Sequence, residues 1–422
     1  MSAAESLRRP VFWNFGGLYF FYFGIWALTF TFLPIWLKNE GGMGPAAIGM
    51  VNTVMAVTAL VLQPLYGYLQ DRLGFRKHLF SVVVVCAALM GPFFGFVFLP
   101  LIDVNQYLAA AVGGIYLSLA LNSGVGVVEA FNERNSRAHR FEYGHARLFG
   151  SLAGGTANLV GGILWAANPD SVWWAGSCSA LLLGTLLLLA RTPVPEEAPA
   201  EETEPGARRI SKEAVGHLLR DRSFLGFVLL MFGTAALYDV FDQQFPNYFA
   251  QFVTSGDANV LFSRVVAVQV FLEAGVMVFT PWFVNRVGAR KGLLLFATIL
   301  VVRILGAALF THTALLVVWR LLASFEMPLM LVSVMKYLTR MFDVRISATA
   351  YMLGFNFAKQ IGVALFSTVF GAAYAAIGFS QAYVWMAVTV AVLTVVASFL
   401  MRDDRERPVT VAPEPEPAGA RA

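Results

Sequence analysis

The segment "GYLQDRLGFRK" at residues 67–77 follows a long uncharged stretch, and it decides how the chain is organised. Its last seven residues are matched by "NRVGARK" at 285–291, so that the template [DN]-R-[LV]-G-x-R-K occurs twice. Chance and the general basicity of such loops are the alternative explanation. However, the residue order, the glycine position and the place of each copy after the second apolar segment of its half all match. The repeat therefore predicts a chain built from two similar halves.

Long apolar segments flank both copies of the template. Of the 422 residues, 58% are hydrophobic and 13% are charged, and the mean hydropathy is +0.67. Ordinary soluble domains have about 25% charged residues, and a helix of about 20 apolar residues crosses a bilayer. The composition predicts an all-α polytopic membrane protein. We predict twelve spans, at 11–37, 46–70, 79–102, 107–132, 145–167, 171–190, 223–250, 258–284, 292–311, 315–338, 346–375 and 381–401.

The distribution of basic residues predicts the orientation of these spans. Of the 30 Lys and Arg, 24 fall in the tails and around the loops after the even-numbered spans, and only Lys38 and Arg264 fall on the opposite side. Loops rich in Lys and Arg stay in the cytoplasm. We therefore expect both termini to be cytoplasmic, as an even number of spans requires.

A charged interruption divides the twelve spans into six and six. Residues 191–222 are rich in Pro, Glu and Ala and then become basic, which predicts a cytoplasmic linker that is disordered at first and has a short amphipathic helix near 211–220. We expect an N-terminal six-helix bundle at 1–190, a C-terminal six-helix bundle at 223–401 and a cytoplasmic tail at 402–422. Tandem six-helix halves with a binding site near the midplane are typical of secondary transporters.

Several motifs resemble one known family. The 67–77 segment looks like the signature loop of the major facilitator superfamily. More specific motifs are "LPIWL" (33–37), "VEAFNER" (128–134), "FEYGHARLFGS" (141–151), "YDVFDQQF" (238–245) and "FEMPLMLVSVMKY" (325–337). With these motifs, the chain from about 11 to 400 is similar to the oligosaccharide:proton symporters, the family of the lactose, raffinose and sucrose permeases. This resemblance implies the major facilitator fold, with twelve helices in two pseudo-symmetric halves, and proton-coupled sugar transport by alternating access in a bacterial inner (plasma) membrane. The gating loop that it implies contains Gly67, Asp71, Arg72, Gly74, Arg76 and Lys77.

Charged residues within the predicted spans are costly in lipid and usually face a cavity or one another. The near balance of acids and bases favours pairing inside the bundle. The resemblance implies two structural ion pairs, Asp239–Lys359 and Asp242–Arg320. We expect the amides that follow them, Gln243, Gln244 and Asn247, to line a water-filled route. The acids are Glu129, Asp239, Asp242, Glu273 and Glu326, and the bases are Arg147, Arg303, Arg320 and Lys359.

Glu129 and Arg147 are the first candidates for substrate binding. The resemblance implies that this acid and base hold sugar hydroxyls. A carboxylate can accept from two hydroxyls at once, and a guanidinium donates in a fixed fork. The alternative is a salt bridge at the cytoplasmic end. The other candidate substrate-binding residues are Glu273, Trp26, Phe23, Asn122 and Tyr238, with Trp26 preferred as the ring that stacks on the sugar.

Glu326 matches the proton-carrying carboxylate of the family, and Arg303 matches the base beside it. The apolar setting of Glu326 disfavours the charged form of its carboxyl group, whereas a nearby guanidinium favours that form. A carboxyl that exchanges protons as its access to water changes needs both influences. The alternative is a glutamate that is permanently neutral or structurally paired.

Two departures from the family pattern leave the sugar undefined. Gly154 stands where the lactose permease has a stacking tryptophan, and Ala323 stands where the lactose and sucrose permeases have a histidine. The sequence therefore predicts a proton-coupled symporter of a disaccharide such as lactose, sucrose or a related galactoside or glucoside. The alternatives are a transporter of a monosaccharide, a glycoside or another small solute, and a non-transporting sugar sensor. We expect no enzyme activity, cofactor, metal or nucleic-acid partner, and a monomer in the lipid bilayer whose ligands are a sugar and a proton.

Overall fold

The computed structural model describes residues 10–141, 143–192, 216, 218–254, 256–342 and 349–404. Most of the linker expected at 191–222 and of the tail expected at 402–422 lies outside the described residues, as does much of the helix expected near 211–220.

All regular secondary structure in the described residues is helical, and most of the helices are long enough to cross a bilayer. Within the described ranges, eleven helices are long and apolar enough to span, or twelve if one bent pair counts as a single span. This confirms the predicted all-α polytopic fold class. The helices are α1 (Pro10–Asn39), α2 (Pro45–Leu73), α3 (the bent pair His78–Ala88 and Met90–Val104), α4 (Gln106–Ala138), α5 (Tyr143–Ala167), α6 (Ser171–Leu189), α7 (Arg222–Phe252), α8 (Ala258–Val287), α9 (Ala289–Leu309), α10 (Thr313–Met341), α11 (Thr349–Ile377) and α12 (Phe379–Leu400).

The bend of 44° in α3 was not predicted. Its local cause is Pro92, which has no N–H to donate to the backbone oxygen of Ala88 four residues earlier. A π-helical segment, Phe93–Phe98, follows directly.

The repeated template has the same structural role in both halves. Its glycines, Gly74 after α2 and Gly288 after α8, have φ angles of 57° and 103°, which side chains rarely tolerate. Its basic residues cap the last helix of each half. Lys77 Nζ donates to the backbone oxygen of Ala190, 2.7 Å away at the end of α6, and Arg290 Nη2 donates to the backbone oxygen of Ser398, 2.6 Å away in α12.

An arginine from the fourth helix of each half binds the first residue of the template. Arg134 Nη2 lies 2.5 Å from Asp71 Oδ1, and Arg340 Nη2 lies 3.2 Å from Asn285 Oδ1. The second half has an amide where the first has a carboxylate, and its carboxylate comes from Asp404 instead, 2.8 Å from Arg340 Nη1. The internal repeat therefore has a shared network of contacts as its physical basis.

Asp404 joins the end of the described chain to the start of α9. Its carboxylate accepts hydrogen bonds from the backbone N–H groups of Ala289 and Arg290 at 3.0 and 2.9 Å, in addition to the contact with Arg340. Burial alone would raise the pKa of Asp404, but these donors outweigh it and hold the pKa below its usual value.

We expect Asp404→Asn to lower the free energy of unfolding by about 1–3 kcal/mol at neutral pH, because charge-assisted hydrogen bonds are lost. Because its folded-state pKa is lowered, ionised Asp404 stabilises the fold at pH values above the unfolded-state pKa of about 3.9. This stabilisation is lost as the pH falls through the folded-state pKa. Thermal unfolding in detergent should show a constant gap between wild type and variant from about pH 5 upward, narrowing below about pH 4. A gap that is equally wide at pH 3 and pH 7 would contradict this role.

The two halves pack together through three helix pairs, α1 with α7, α2 with α11 and α5 with α8. Two of these pairs depend on glycine. A Cβ atom at Gly49 of α2 would lie 2.4 Å from the backbone oxygen of Ser367 in α11, and one at Gly162 of α5 would lie 2.2 Å from Oγ of Ser263 in α8. Small residues allow this close approach. Both glycines are near the end of the bundle that carries the α1–α2 and α5–α6 loops, which we call the closed end.

Amide side chains of α7 cross the interface at the closed end. Gln244 Nε2 donates to the backbone oxygen of Pro45 at 2.8 Å, and Asn247 Nδ2 donates to that of Pro34 at 2.9 Å. Both amides are buried. The expectation that they line a water-filled route is therefore wrong for this conformation, in which they join the two halves. Gln243 instead bonds within its own half.

Five hydrogen bonds between described residues of the two halves lie at the closed end or within a few turns of it. Their side chains belong to Lys38, Thr53, Thr368, Gln244 and Asn247. We call the opposite end, which carries the two template loops, the open end.

Candidate functional site

Glu129 and Arg147 form an ion pair near the open end. Arg147 Nε donates to Glu129 Oε1 at 2.6 Å, and the two side chains are 35% and 25% exposed. The second carboxylate oxygen, Oε2, accepts from the hydroxyl of Tyr19 at 2.7 Å and from the hydroxyl of Tyr143. Since a carboxylate has about four acceptor positions, Glu129 keeps about one for a ligand. The expectation that it accepts from two substrate hydroxyls at once needs more acceptor positions than this arrangement leaves.

The guanidinium of Arg147 is oriented by its neighbours. Its central carbon lies 4.1 Å from the ring centre of Phe23 and 5.6 Å from that of Tyr19. In the described part of the chain, its two terminal nitrogens have no protein acceptor, which leaves four N–H donors for a ligand. Phe23, a candidate substrate residue, has one face covered by this guanidinium, and it therefore supports Arg147 from that side.

Gly154 lies on α5 two turns after Arg147 and faces α8. A Cβ atom there would meet only Val270, at 3.6 Å. Trp26, the preferred stacking ring, is 36% exposed and lies 4.6 Å from the ring of Phe30. Its stacking role stays a prediction.

Three other candidate residues lie on α8, α4 and α7. Glu273 is half-buried on α8, and no Lys or Arg of the described residues lies within 4 Å of its carboxylate. Asn122 ends a π-helical segment, and its backbone oxygen lies 3.5 Å from Gln63 Nε2. Tyr238 is buried, with its ring centre 5.3 Å from the guanidinium carbon of Arg303.

Arg303 joins two carboxylates in the C-terminal half. Its Nε donates to Glu326 Oε1 at 2.9 Å, and its Nη1 donates to Asp242 Oδ1 at 2.9 Å. Nη2 lies 2.8 Å from Glu326 Oε2, although the angle there does not make a hydrogen bond. Arg303 and Glu326 are fully buried. Arg320 Nη1 lies 2.5 Å from the same oxygen of Asp242.

The expected contacts Arg303–Glu326 and Asp242–Arg320 are thus parts of one network of two acids and two bases. The link from Arg303 to Asp242 was not predicted. Ala323 is buried and adds no polar group. The two acids balance the two bases in charge. Protonation of Glu326 therefore leaves Asp242 as the only charged acid beside Arg303.

Asp239 and Lys359 form the expected contact, with 2.8 Å between Nζ and Oδ2. Removing one charge leaves the other unpaired, which typically costs about 3–5 kcal/mol in a fully buried pair. We expect the lower end of that range, because the two side chains are 20% and 31% exposed. Asp239→Asn and Lys359→Gln should each impair transport, and the double variant should recover much of it. Transport in the double variant that is no better than in the worse single variant would disprove a structural pair.

The tyrosines that bind Glu129 were missed in the sequence. A usable signal was present for Tyr143, which is four residues before Arg147 and therefore shares its helix face. Tyr19 comes from α1, and nothing local in the sequence connects it with Glu129.

Comparison with known proteins gives the family. The family model described as LacY proton/sugar symporter matches residues 4–414. The chain belongs to this family.

Three relatives in the LacY proton/sugar symporter family cover nearly the whole chain. The melibiose permease of Enterobacter cloacae subsp. cloacae is 38% identical over 94% of this chain and 94% of its own length. The raffinose permease of Escherichia coli is 37% identical over 95% of each chain. The sucrose permease of Escherichia coli is 31% identical over 96% of this chain and 98% of its own.

Solved structures share the fold. A nucleoside transporter, NupG, superposes with a TM-score of 0.78 at 14% identity, covering 93% of this chain and 100% of that one. A D-xylose-proton symporter superposes with a TM-score of 0.63 at 17% identity, covering 96% and 100%. These likenesses concern the fold alone. Together with membership of the LacY proton/sugar symporter family, they confirm the predicted major facilitator architecture. The protein is a multi-span membrane transporter and not an enzyme.

Proposed function

We propose that the protein is a proton-coupled symporter of a disaccharide or a related galactoside or glucoside. The observation that carries the proposal is the pair of Glu326 and Arg303, both fully buried and in direct contact, in a chain of the LacY proton/sugar symporter family. A buried carboxyl held by a guanidinium can bind and release one proton as its surroundings change. The names of the relatives, which are melibiose, raffinose and sucrose permeases, support a disaccharide or a larger galactoside.

The sugar site in this proposal contains Arg147, which offers four N–H donors, and Glu129, which holds it in place. Gly154 brings no side chain to this face of α5, and Trp26 is the candidate stacking surface. Polar hydroxyls and one apolar ring face are what such a site recognises.

The transport cycle in this proposal is alternating access across a bacterial plasma membrane. Both termini would be cytoplasmic, in keeping with the excess of Lys and Arg at that end. With this orientation the closed end is periplasmic. The protein would work as a monomer in the bilayer, because each chain contains a complete pair of halves.

The substrate class is tested by counterflow in proteoliposomes. Purified protein is challenged with melibiose, raffinose, lactose and sucrose, and with glucose and galactose as monosaccharides. We expect exchange with at least one oligosaccharide and weaker exchange with the monosaccharides. Exchange with monosaccharides alone would favour the alternative, a transporter of smaller solutes. The absence of an aromatic ring at Gly154 supports that alternative.

A further inference from the structure

We propose that Tyr143 determines specificity at the sugar site, because its hydroxyl lies between Glu129 and the substrate. The inference rests on the proposed function, since it concerns the same site. It starts from the carboxylate of Glu129, whose Oε2 is taken by the hydroxyls of Tyr143 and Tyr19 and whose Oε1 is taken in part by Arg147.

The two tyrosines differ in their access to a ligand. Tyr19 is fully buried, whereas Tyr143 is half-buried, near the open end. Tyr143 is also one helical turn before Arg147, so that their side chains share a face of α5. A ligand held by Arg147 therefore meets Tyr143 beside it, while Tyr19 stays behind the pair.

The hydrogen-bond chemistry of a phenol explains what Tyr143 offers. Its one O–H donor is used on Glu129, and its oxygen keeps acceptor lone pairs. A sugar hydroxyl can donate to this oxygen while it accepts from Arg147. A sugar hydroxyl that binds Tyr143 instead of Glu129 therefore lies about one hydrogen bond, or about 2.7 Å, farther from the carboxylate.

The same face of α5 carries no side chain two turns beyond Arg147. At Gly154, two turns after Arg147, a Cβ atom would meet only Val270 within 4 Å. A sugar that binds one hydrogen-bond length farther from Glu129 therefore meets no side chain from this position. Tyr19 acts as a positioning residue, since its buried hydroxyl fixes Glu129 and, through it, Arg147.

The test compares Tyr143→Phe with Tyr19→Phe, because each removes one hydroxyl from the same carboxylate oxygen. Dissociation constants for melibiose, raffinose, lactose and sucrose are measured by calorimetry on the purified full-length protein, with thermal unfolding as the check of folding. Tyr143→Phe should weaken the tightest-binding sugar about three- to tenfold and change the order of the four affinities. Tyr19→Phe should shift all four by a similar factor and keep their order.

Two results would overturn the inference while leaving the proposed function intact. One is an unchanged affinity for every sugar in Tyr143→Phe, and the other is an equal shift for all four. Should Tyr143→Phe fail to fold, Tyr143→Asn replaces it in the same comparison, with the same two contradicting results. If wild type binds none of the four sugars, the proposed substrate class fails, and the inference fails with it.

Discussion

Glu326→Gln should abolish uphill accumulation of sugar and leave sugar exchange across the membrane intact. Glutamine has nearly the same shape but cannot release a proton, so it imitates the protonated state permanently. Sugar can then bind and cross, but the cycle no longer couples to the proton gradient. Because Arg303 loses one of its two carboxylate partners, it is left with Asp242 alone.

The measurement compares concentrative uptake with equilibrium exchange in the same proteoliposomes. Glu40→Gln is the matched control, since Glu40 is exposed after α1 and lies outside this network. It should behave as wild type in both assays. Proton-driven accumulation that persists in Glu326→Gln would rule out Glu326 as the carrier of the coupled proton.

Arg147→Ala should cause the largest loss of sugar binding. The change removes four N–H donors from the site and leaves the carboxylate of Glu129 without its charged partner. Truncating one member of a buried charge pair costs about 2–5 kcal/mol. We expect the lower end of that range, because the two side chains are 35% and 25% exposed. Each 1.4 kcal/mol weakens binding tenfold. Arg147→Lys keeps the charge but loses the fork, so it should recover only a small part of the affinity.

Binding to the purified variants is measured by calorimetry, with thermal unfolding as the control for folding. Near-normal affinity in Arg147→Ala, in a folded protein, would reduce the Glu129–Arg147 pair to a salt bridge at the open end of the bundle.

Local features of the sequence were sufficient to predict the helices. The predicted spans 171–190 and 258–284 correspond to Ser171–Leu189 and Ala258–Val287, because length and hydropathy decide such segments. The bend in α3 escaped prediction, although Pro92 was visible in the middle of the predicted span. A proline in a transmembrane helix can be accommodated with or without a bend, and the neighbouring helices decide which occurs.

The site could not be predicted in the same way, because it depends on contacts between distant parts of the chain. Resemblance to a family supplied single pairs such as Arg303–Glu326. It did not supply the second contact of Arg303 with Asp242, which depends on how α7 and α9 pack. The same holds for Tyr19 of α1, since its contact with Glu129 of α4 depends on helix packing that no spacing along the chain reveals.

At the closed end, the conformation decides whether a polar side chain is buried or hydrated. Gln244 and Asn247 have the polar character of residues that line a water-filled route, but here they are buried and bind backbone oxygens of the other half. In a transporter that alternates between conformations, the same amide can be buried in one state and hydrated in another.

Sugar-driven proton movement is the most direct test of a proton-coupled symporter. Proteoliposomes containing the purified protein and a trapped pH-sensitive dye, with no initial pH difference, are given an inward gradient of the sugar that exchanges best in counterflow. The account predicts acidification of the lumen that is absent in Glu326→Gln and in empty liposomes. Sugar uptake by wild type without any change in internal pH would contradict it.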